Sequence, residues 1–270
     1  MGAGKGLNKA ADLPKAPIRV IAGIGRVLLW QGGGLWIGRS AGPVQTHAHH
    51  AIQVSLALTG TVRFRAAERE TWREYHTALV MPHEPHQFDG NEQSVAQLFV
   101  EPETAQGRAL LERHGGSQIV SLDDGLSEQV RQTLHLAYAA RVSDEALVAA
   151  GRKAVTLLSG SDPALQVDPR ITRAIEWMRE RLHSTVSLAE AARIAHLSPS
   201  RFRHLFMAQT GISFRGYLLW VRVKSAVGTA MSGVSWTDAA QAWGFADSAH
   251  LSRTCRRMFG IAPSSLIREE

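Results

Sequence analysis

Leu188-Ala-Glu-Ala-Ala-Arg-Ile-Ala-His-Leu-Ser198 runs into Pro199-Ser-Arg-Phe-Arg-His-Leu-Phe-Met-Ala-Gln-Thr-Gly211. The stretch reads as a helix of small residues, a short turn, and a second helix with arginines on one side. The pattern returns in Trp236-Thr-Asp-Ala-Ala-Gln-Ala-Trp-Gly-Phe-Ala-Asp247 and Ser248-Ala-His-Leu-Ser-Arg-Thr-Cys-Arg-Arg-Met-Phe-Gly260. An offset of 49 residues places Ala191 on Ala240, Phe202 on Leu251, Gly211 on Gly260 and Ile212 on Ile261. Small residues let two helices cross closely, and the second can then present its polar side to a major groove. Two such units in one chain can read two successive turns of a duplex without a dimer.

The charge distribution agrees with that reading. Residues 169–270 hold 14 Lys and Arg against 7 Asp and Glu, whereas residues 1–168 hold 16 against 17. The basic excess therefore lies where the helix pairs are, as a phosphate-neutralising surface requires. Cys255 is the only cysteine, which excludes an internal disulfide and a thiolate zinc cluster and suits a reducing cytoplasm. The first residues have no apolar run of the signal-peptide kind, and the apolar stretches are too short for a membrane span.

At 270 residues and 44% hydrophobic composition, two cores are expected. Residues 1–17 read as a loose tail. Short apolar runs at 27–30, 35–37, 52–58, 62–64, 78–81 and 95–100 are punctuated by Gly32-Gly-Gly34, Thr59-Gly60 and Asp89-Gly-Asn91, the pattern of a sandwich or small barrel. After Glu101-Pro102 the rhythm becomes helical, with Leu126, Val130, Leu134 and Tyr138 on one stripe. That stripe suits either a dimer seam or packing on its own barrel. Asp144 to Leu158 is a further helix. Residues 161–168 read as a linker between a unit at 18–160 and one at 169–270. The fold class is thus α+β, a β-barrel with trailing helices followed by an all-α unit.

In the second unit, helices are expected from Pro169 to Leu182 and from Ser213 to Met231, the latter a strut between the repeats. Ser187 and Glu190 form a capping box for the first motif helix. With Phe202, Leu205 and Phe206 inward, Ser200, Arg201, Arg203 and His204 are left for DNA. Arginine pairs bidentately with guanine, so Arg203 is the first candidate for base readout and His204 the second. The matching residues of the second copy are Ser248, Ala249, Ser252 and Arg253, with Arg256 and Arg257 suited to phosphates.

Residues 169–268 closely resemble the AraC/XylS family of bacterial transcription regulators. The resemblance rests on Leu-Ser-Pro-Ser-Arg-Phe-Arg-His-Leu-Phe at 197–206, Thr210-Gly211, Arg222, Ala226, Gly244-Phe-Ala-Asp247, His250-Leu-Ser-Arg253 and Arg256-Arg-Met-Phe-Gly-Ile-Ala-Pro263. It implies a non-enzymatic activator acting on double-stranded promoter DNA, with a small-molecule effector, RNA polymerase and a second copy of the chain as further partners. Cys255 stands where that family has an aromatic, and Gly228-Thr-Ala230 where it has leucines. Both changes remove packing volume, which predicts a less firmly held second motif.

In the first unit His47-Ala-His49 is followed by Gln53 and Gly60, with His86 further on. Spacing of two on a strand puts His47, His49, Ala51, Gln53, Ser55 and Ala57 on one face and His50, Ile52, Val54, Leu56 and Leu58 on the other. His47, His49 and His86 together could hold a divalent metal. The layout resembles the cupin barrel, with Gln53 in place of its acid and a shortened second motif at Pro82-His-Glu-Pro-His86. Lining an effector pocket is the other reading of His47, His49, Gln53 and His86. Eight of the twelve histidines precede residue 169, so pH sensing is a third. A metal-dependent cupin enzyme fused to a DNA-binding module is the competing function; the missing acid and the lack of a nucleophile-base pair count against it.

Overall fold

In a computed structural model, residues 22–269 are described apart from 67–69, 117, 123 and 161–166. The expected tail and most of the expected linker lie outside the described residues. Alternation of side chains organises the first half. In β3 (Ile52–Ala57), Ile52, Val54 and Leu56 point to one face and Gln53, Ser55 and Ala57 to the other, and all six are buried. A strand buried on both faces needs a layer on each side.

The first layer is helical. The strand β3 belongs to a seven-stranded sheet with β1 (Gly23–Trp30), β2 (Gly33–Ser40), β6 (Thr77–Val80), β8 (Ser94–Val100), β9 (Ile119–Ser121) and β10 (Leu266–Arg268). Leu35, Ile37, Ile52, Leu56 and Leu98 meet Leu110, Val130, Leu134 and Leu147 of α1 (Ala105–His114), α2 (Gly125–Ala139) and α3 (Asp144–Ser159). Val130 and Leu134 of the predicted stripe are spent in this core, and the Tyr138 hydroxyl donates to Glu269 at 2.6 Å. The middle of the stripe packs internally, while Leu126 at its start is exposed.

The second layer is a three-stranded sheet of β4 (Val62–Arg65), β5 (Arg73–Tyr75) and β7 (Gln87–Asp89), ordered β5-β4-β7. Val62, Phe64 and Phe88 from it interlock with Trp36, Ala57, Val80 and Val95. Two sheets thus share one core, and among the described residues no strand-to-strand ladder closes them into a barrel.

Six helices follow: α4 (Pro169–Arg179), α5 (Leu188–Ile194), α6 (Pro199–Thr210), α7 (Phe214–Met231), α8 (Trp236–Ala242) and α9 (Ser248–Phe259). Ser187 and Glu190 cap α5 reciprocally, as their spacing predicts. Fully buried Ala191, Ala192, Ala239 and Ala240 bring α5 and α8 close to their partner helices. The strut α7 is 18 residues long, about 27 Å at 1.5 Å per residue. Its small residues are not holes. A Cβ on Gly228 would come 2.8 Å from Leu29 Cδ1 of β1, and Thr229 Oγ1 accepts from Trp243 Nε1 at 2.8 Å. Cys255 is buried among Val223, Ala226, Phe245 and Leu251. At Gly228 the first half thus supplies part of the missing volume through Leu29, whereas Cys255 borders a cavity between the sheets and the helical half.

Several ties join the halves, among them three that fix their geometry. The chain end returns as β10 to pair in parallel with β1, Gly23 opposite Leu266. Arg108 donates to the Gln209 carbonyl at 2.6 Å. Glu101, 1% exposed at the end of β8, accepts from Lys224 Nζ at 2.7 Å, from Trp220 Nε1 at 3.3 Å and from Arg179. Burial pushes its carboxyl up, but the two cations outweigh that and hold it near 2. Glu101→Gln leaves two cations facing a neutral group in a dry joint. It should cost about 3 kcal/mol of stability in urea unfolding, and an unchanged midpoint would mean the joint is wet and weak.

Candidate nucleic-acid interface and buried histidine cluster

The two reading helices are built alike. α6 is capped at its start by Ser198, whose hydroxyl accepts from Arg201 N, and α9 by Asp247, which accepts from His250 N. Both are 12 residues long and end on a left-handed glycine, Gly211 at φ 73° and Gly260 at φ 69°. The 49-residue repeat is therefore a repeat of structure down to its caps.

Apolar residues set which side of each helix faces out. Phe202 and Phe206 are buried in α6, which leaves Ser200, Arg201, Arg203 and His204 exposed. Leu251, Thr254 and Cys255 are buried in α9. Ala249, Arg253, Arg256 and Arg257 are exposed there, while Ser248 and Ser252 are half-buried. Neither Arg201, Arg203, Arg253, Arg256 nor Arg257 forms an ion pair with another described residue. Unpaired guanidiniums along two repeated helices are suited to bind phosphates and guanine edges.

The histidines converge at the joint itself, with the His49 ring 6.4 Å from that of Trp220. Two loops, 45–50 and 82–86, are clamped by backbone bonds: His47 N to His86 O at 3.0 Å, His86 N to His47 O at 2.9 Å, and His83 N to His49 O at 2.7 Å. Ligand atoms of His47, His49 and His86 all lie within 4.8 Å of one another, and all three residues are buried. Each ring donates Nδ1–H to a backbone carbonyl two residues away: His47 to Gln45, His49 to Ala51, His86 to Glu84, at 2.8–2.9 Å. That fixes the tautomer and turns every Nε2 lone pair inward, the second-shell pattern of metal-binding histidines.

What occupies those lone pairs differs. His86 Nε2 is buried with no hydrogen-bond partner among the described residues. His49 Nε2 lies 2.8 Å from the Gln53 amide, whose other end is 2.9 Å from Ser55 Oγ. Since Nε2 of neutral His49 can only accept, Gln53 must present its NH2 there and take the Ser55 hydroxyl proton on its oxygen. The fourth histidine expected on the opposite face, His50, is separate: its Nε2 meets Glu103 at 2.9 Å beside Tyr217 and Trp220.

A cavity of about 130 Å3 lies beside this cluster, between the sheets and the helical half. Val27, Trp36, His47 and Gln53 line one side, and Trp220, Lys224, Val227, Cys255 and Phe259 the other. Of the residues expected to line a pocket, His47 and Gln53 border this cavity and His49 and His86 do not; sequence reasoning missed its Trp220 and Lys224, and the neighbouring Glu101 and Arg179. A lysine on the largely apolar helix 217–231, two residues from Arg222, was the available signal for Lys224.

The comparisons with known proteins agree with the repeat. A family model described as a helix-turn-helix domain matches residues 191–269. A probable transcriptional regulator, LumQ of Photobacterium leiognathi, is 30% identical over 91 residues, 33% of this chain. That match spans about a third of the relative, 36% of its length. The crystal structure of ToxT from Vibrio cholerae O395 superposes with a TM-score of 0.55 at 12% identity, covering 87% of this chain and 96% of that one. A second ToxT structure, with an unsaturated fatty acid bound, gives 0.53 at 11% identity over 88% and 94%. The shared fold therefore extends across both halves. The helix-turn-helix match lies in the second half of the chain, and the likeness of the first half is one of fold.

Burial lowers the pKa of His47 to about 3, with His49 adding repulsion, and that of His49 to about 4; His86 is also held well below 6.5. These groups do not titrate near neutrality, which removes them as a neutral-pH sensor. Because the folded values lie below the unfolded 6.5, the unfolded chain takes up more protons as pH falls. Their contribution is complete above 6.5 and lost on acidification toward 3–4. Thermal melts should show the wild type losing stability between pH 6.5 and 4, and His47→Gln losing less over that range. Parallel pH profiles would contradict a neutral buried cluster.

Proposed function

We infer that this chain, which carries the helix-turn-helix domain of AraC-family transcription regulators, is a sequence-specific DNA-binding regulator that responds to an effector held by its first half. The observation that carries the reading is the structural repeat: two equal helices, capped alike, each with unpaired arginines outward. Ser200, Arg203 and His204 face bases in one groove, and Ser248, Ala249, Ser252 and Arg253 in the next, while Arg201, Arg256 and Arg257 take phosphates. Residues 18–160 form a cupin-like sensor and 169–270 the DNA-binding unit.

The joint offers the effector two places. The cavity is mostly apolar, with the Lys224 ammonium at its wall. ToxT has been crystallised with an unsaturated fatty acid, so small apolar carboxylic acids are the first class to test here. At about 130 Å3 the space is near that of an engineered cavity of ~150 Å3 that takes benzene, and it suits an aromatic or short-chain acid. The second place is the histidine triad. Three neutral imidazoles with inward Nε2, one of them orphaned, fit a divalent late first-row metal such as Zn2+.

Arg203→Ala should cost about 1–3 kcal/mol on the preferred site and relax preference at one base pair, whereas Arg256→Ala should weaken all sequences alike. Binding-site selection followed by titration against salt checks both, and equal losses on specific and random DNA for Arg203→Ala would refute its role. Gln53→Glu replaces a competing amide with an anion beside the triad and should tighten zinc binding by about tenfold in a chelator competition. An unchanged affinity would place the metal elsewhere.

A further inference from the structure

The loops that carry the triad are also the floor on which the second reading helix ends. Gln45 N donates to the carbonyl of Gly260, the residue that closes α9, at 3.2 Å. The Gln45 carbonyl in turn accepts the Nδ1–H of His47 at 2.9 Å. One peptide segment therefore fixes both the imidazole and the helix end. The seam has no slack: a Cβ on Gly260 would collide with Gln45 O and come 2.8 Å from His47 Nδ1. His49 adds an aromatic contact, its ring 6.2 Å from that of Phe259 in α9 and 6.4 Å from that of Trp220 in α7. The first reading helix ends nearby as well, with Gly211 facing His83 Nε2 across the space a Cβ would half fill.

A metal would load this seam. Bond lengths of about 2.0–2.1 Å in a tetrahedral site put ligand nitrogens about 3.3 Å apart. The three donors here spread to as much as 4.8 Å. Drawing them together means tilting His47 and His49 and releasing His49 Nε2 from Gln53. A tilt of His47 acts on Gln45, and through Gln45 on Gly260. A close-packed contact transmits such a shift where a loose one would absorb it.

Resting on the metal reading above, we propose that a divalent metal on His47, His49 and His86 is a clasp between the halves. Its occupancy is passed through the Gln45–Gly260 seam to the end of α9 and sets how firmly the second reading helix is docked. The regulated quantity is the freedom of that helix relative to the sheets, and so the geometry that two successive grooves encounter.

Hydrogen exchange of the full chain with and without zinc chloride tests this, with zinc content measured by equilibrium dialysis. The expected result is one zinc per chain and exchange slowed by about fivefold in peptides covering 44–53, 80–88 and also 255–263. His86→Gln removes a ligand that does not touch α9, and should abolish all three effects. Gly260→Ala keeps all three ligand residues but presses a methyl group against Gln45 and His47, and should lose the slowing at 255–263 even at zinc concentrations that saturate the site. Zinc bound with slowing confined to 44–53 and 80–88 in the wild type would overturn the clasp and leave the metal site standing. No binding of zinc, nickel or copper at micromolar concentration would overturn the metal reading itself. Should either variant fail to fold, the wild-type comparison alone still separates these outcomes.

Discussion

One buried carboxylate fixes how the two halves of this molecule are oriented. Glu101 ends β8, the strand at the middle of the seven-stranded sheet, and it binds a lysine and a tryptophan of α7 and an arginine of α4. An anion with 1% exposure is tolerable only when cations and donors replace its water, and here all of them come from the other half. The arrangement is directional. Greasy surfaces could slide over one another, but a carboxylate with three fixed partners specifies one orientation of the helical half on the sheets.

Everything at the joint follows from that orientation. It sets α7 against β1, so that Gly228 receives Leu29, and it lowers the end of α9 onto the loop at Gln45. It also leaves the arginine faces of α6 and α9 turned away from the joint and open to solvent. In α9 the arginine face is thus on one side of the helix, and Cys255 and Phe259 at the cavity wall on the other. A ligand in that cavity would touch α9 itself, with no relay between them.

The histidine cluster shows how far burial alters chemistry that looks familiar in sequence. Eight histidines in one half suggest titration near neutrality, yet desolvation keeps the three buried ones neutral far below that. Neutral imidazoles with their Nδ1 protons committed to carbonyls are poor pH sensors and good ligands. The glutamine at position 53 fits the same picture, since its amide can serve His49 when nothing else does.

Much was legible in the chain itself. The 49-residue repeat, the capping box at Ser187 and the inward Phe202 and Phe206 come from local rules of spacing and capping, and the helices of the second half follow them. Alternation in 52–57 likewise assigned two faces to β3, because a strand reverses its side chains at every residue whatever surrounds it. What the sequence could not contain is the partner of each face. Glu101 is an ordinary acid until Lys224 and Arg179, 123 and 78 residues away, are brought to it. The three residues of β10 are too few to carry a period, and Gly228 looks like lost volume until Leu29 fills it. Local periodicity determined the elements and their outward faces. Contacts remote along the chain decided the joint, because charge pairing and close packing depend on distance in space, which no spacing in sequence records.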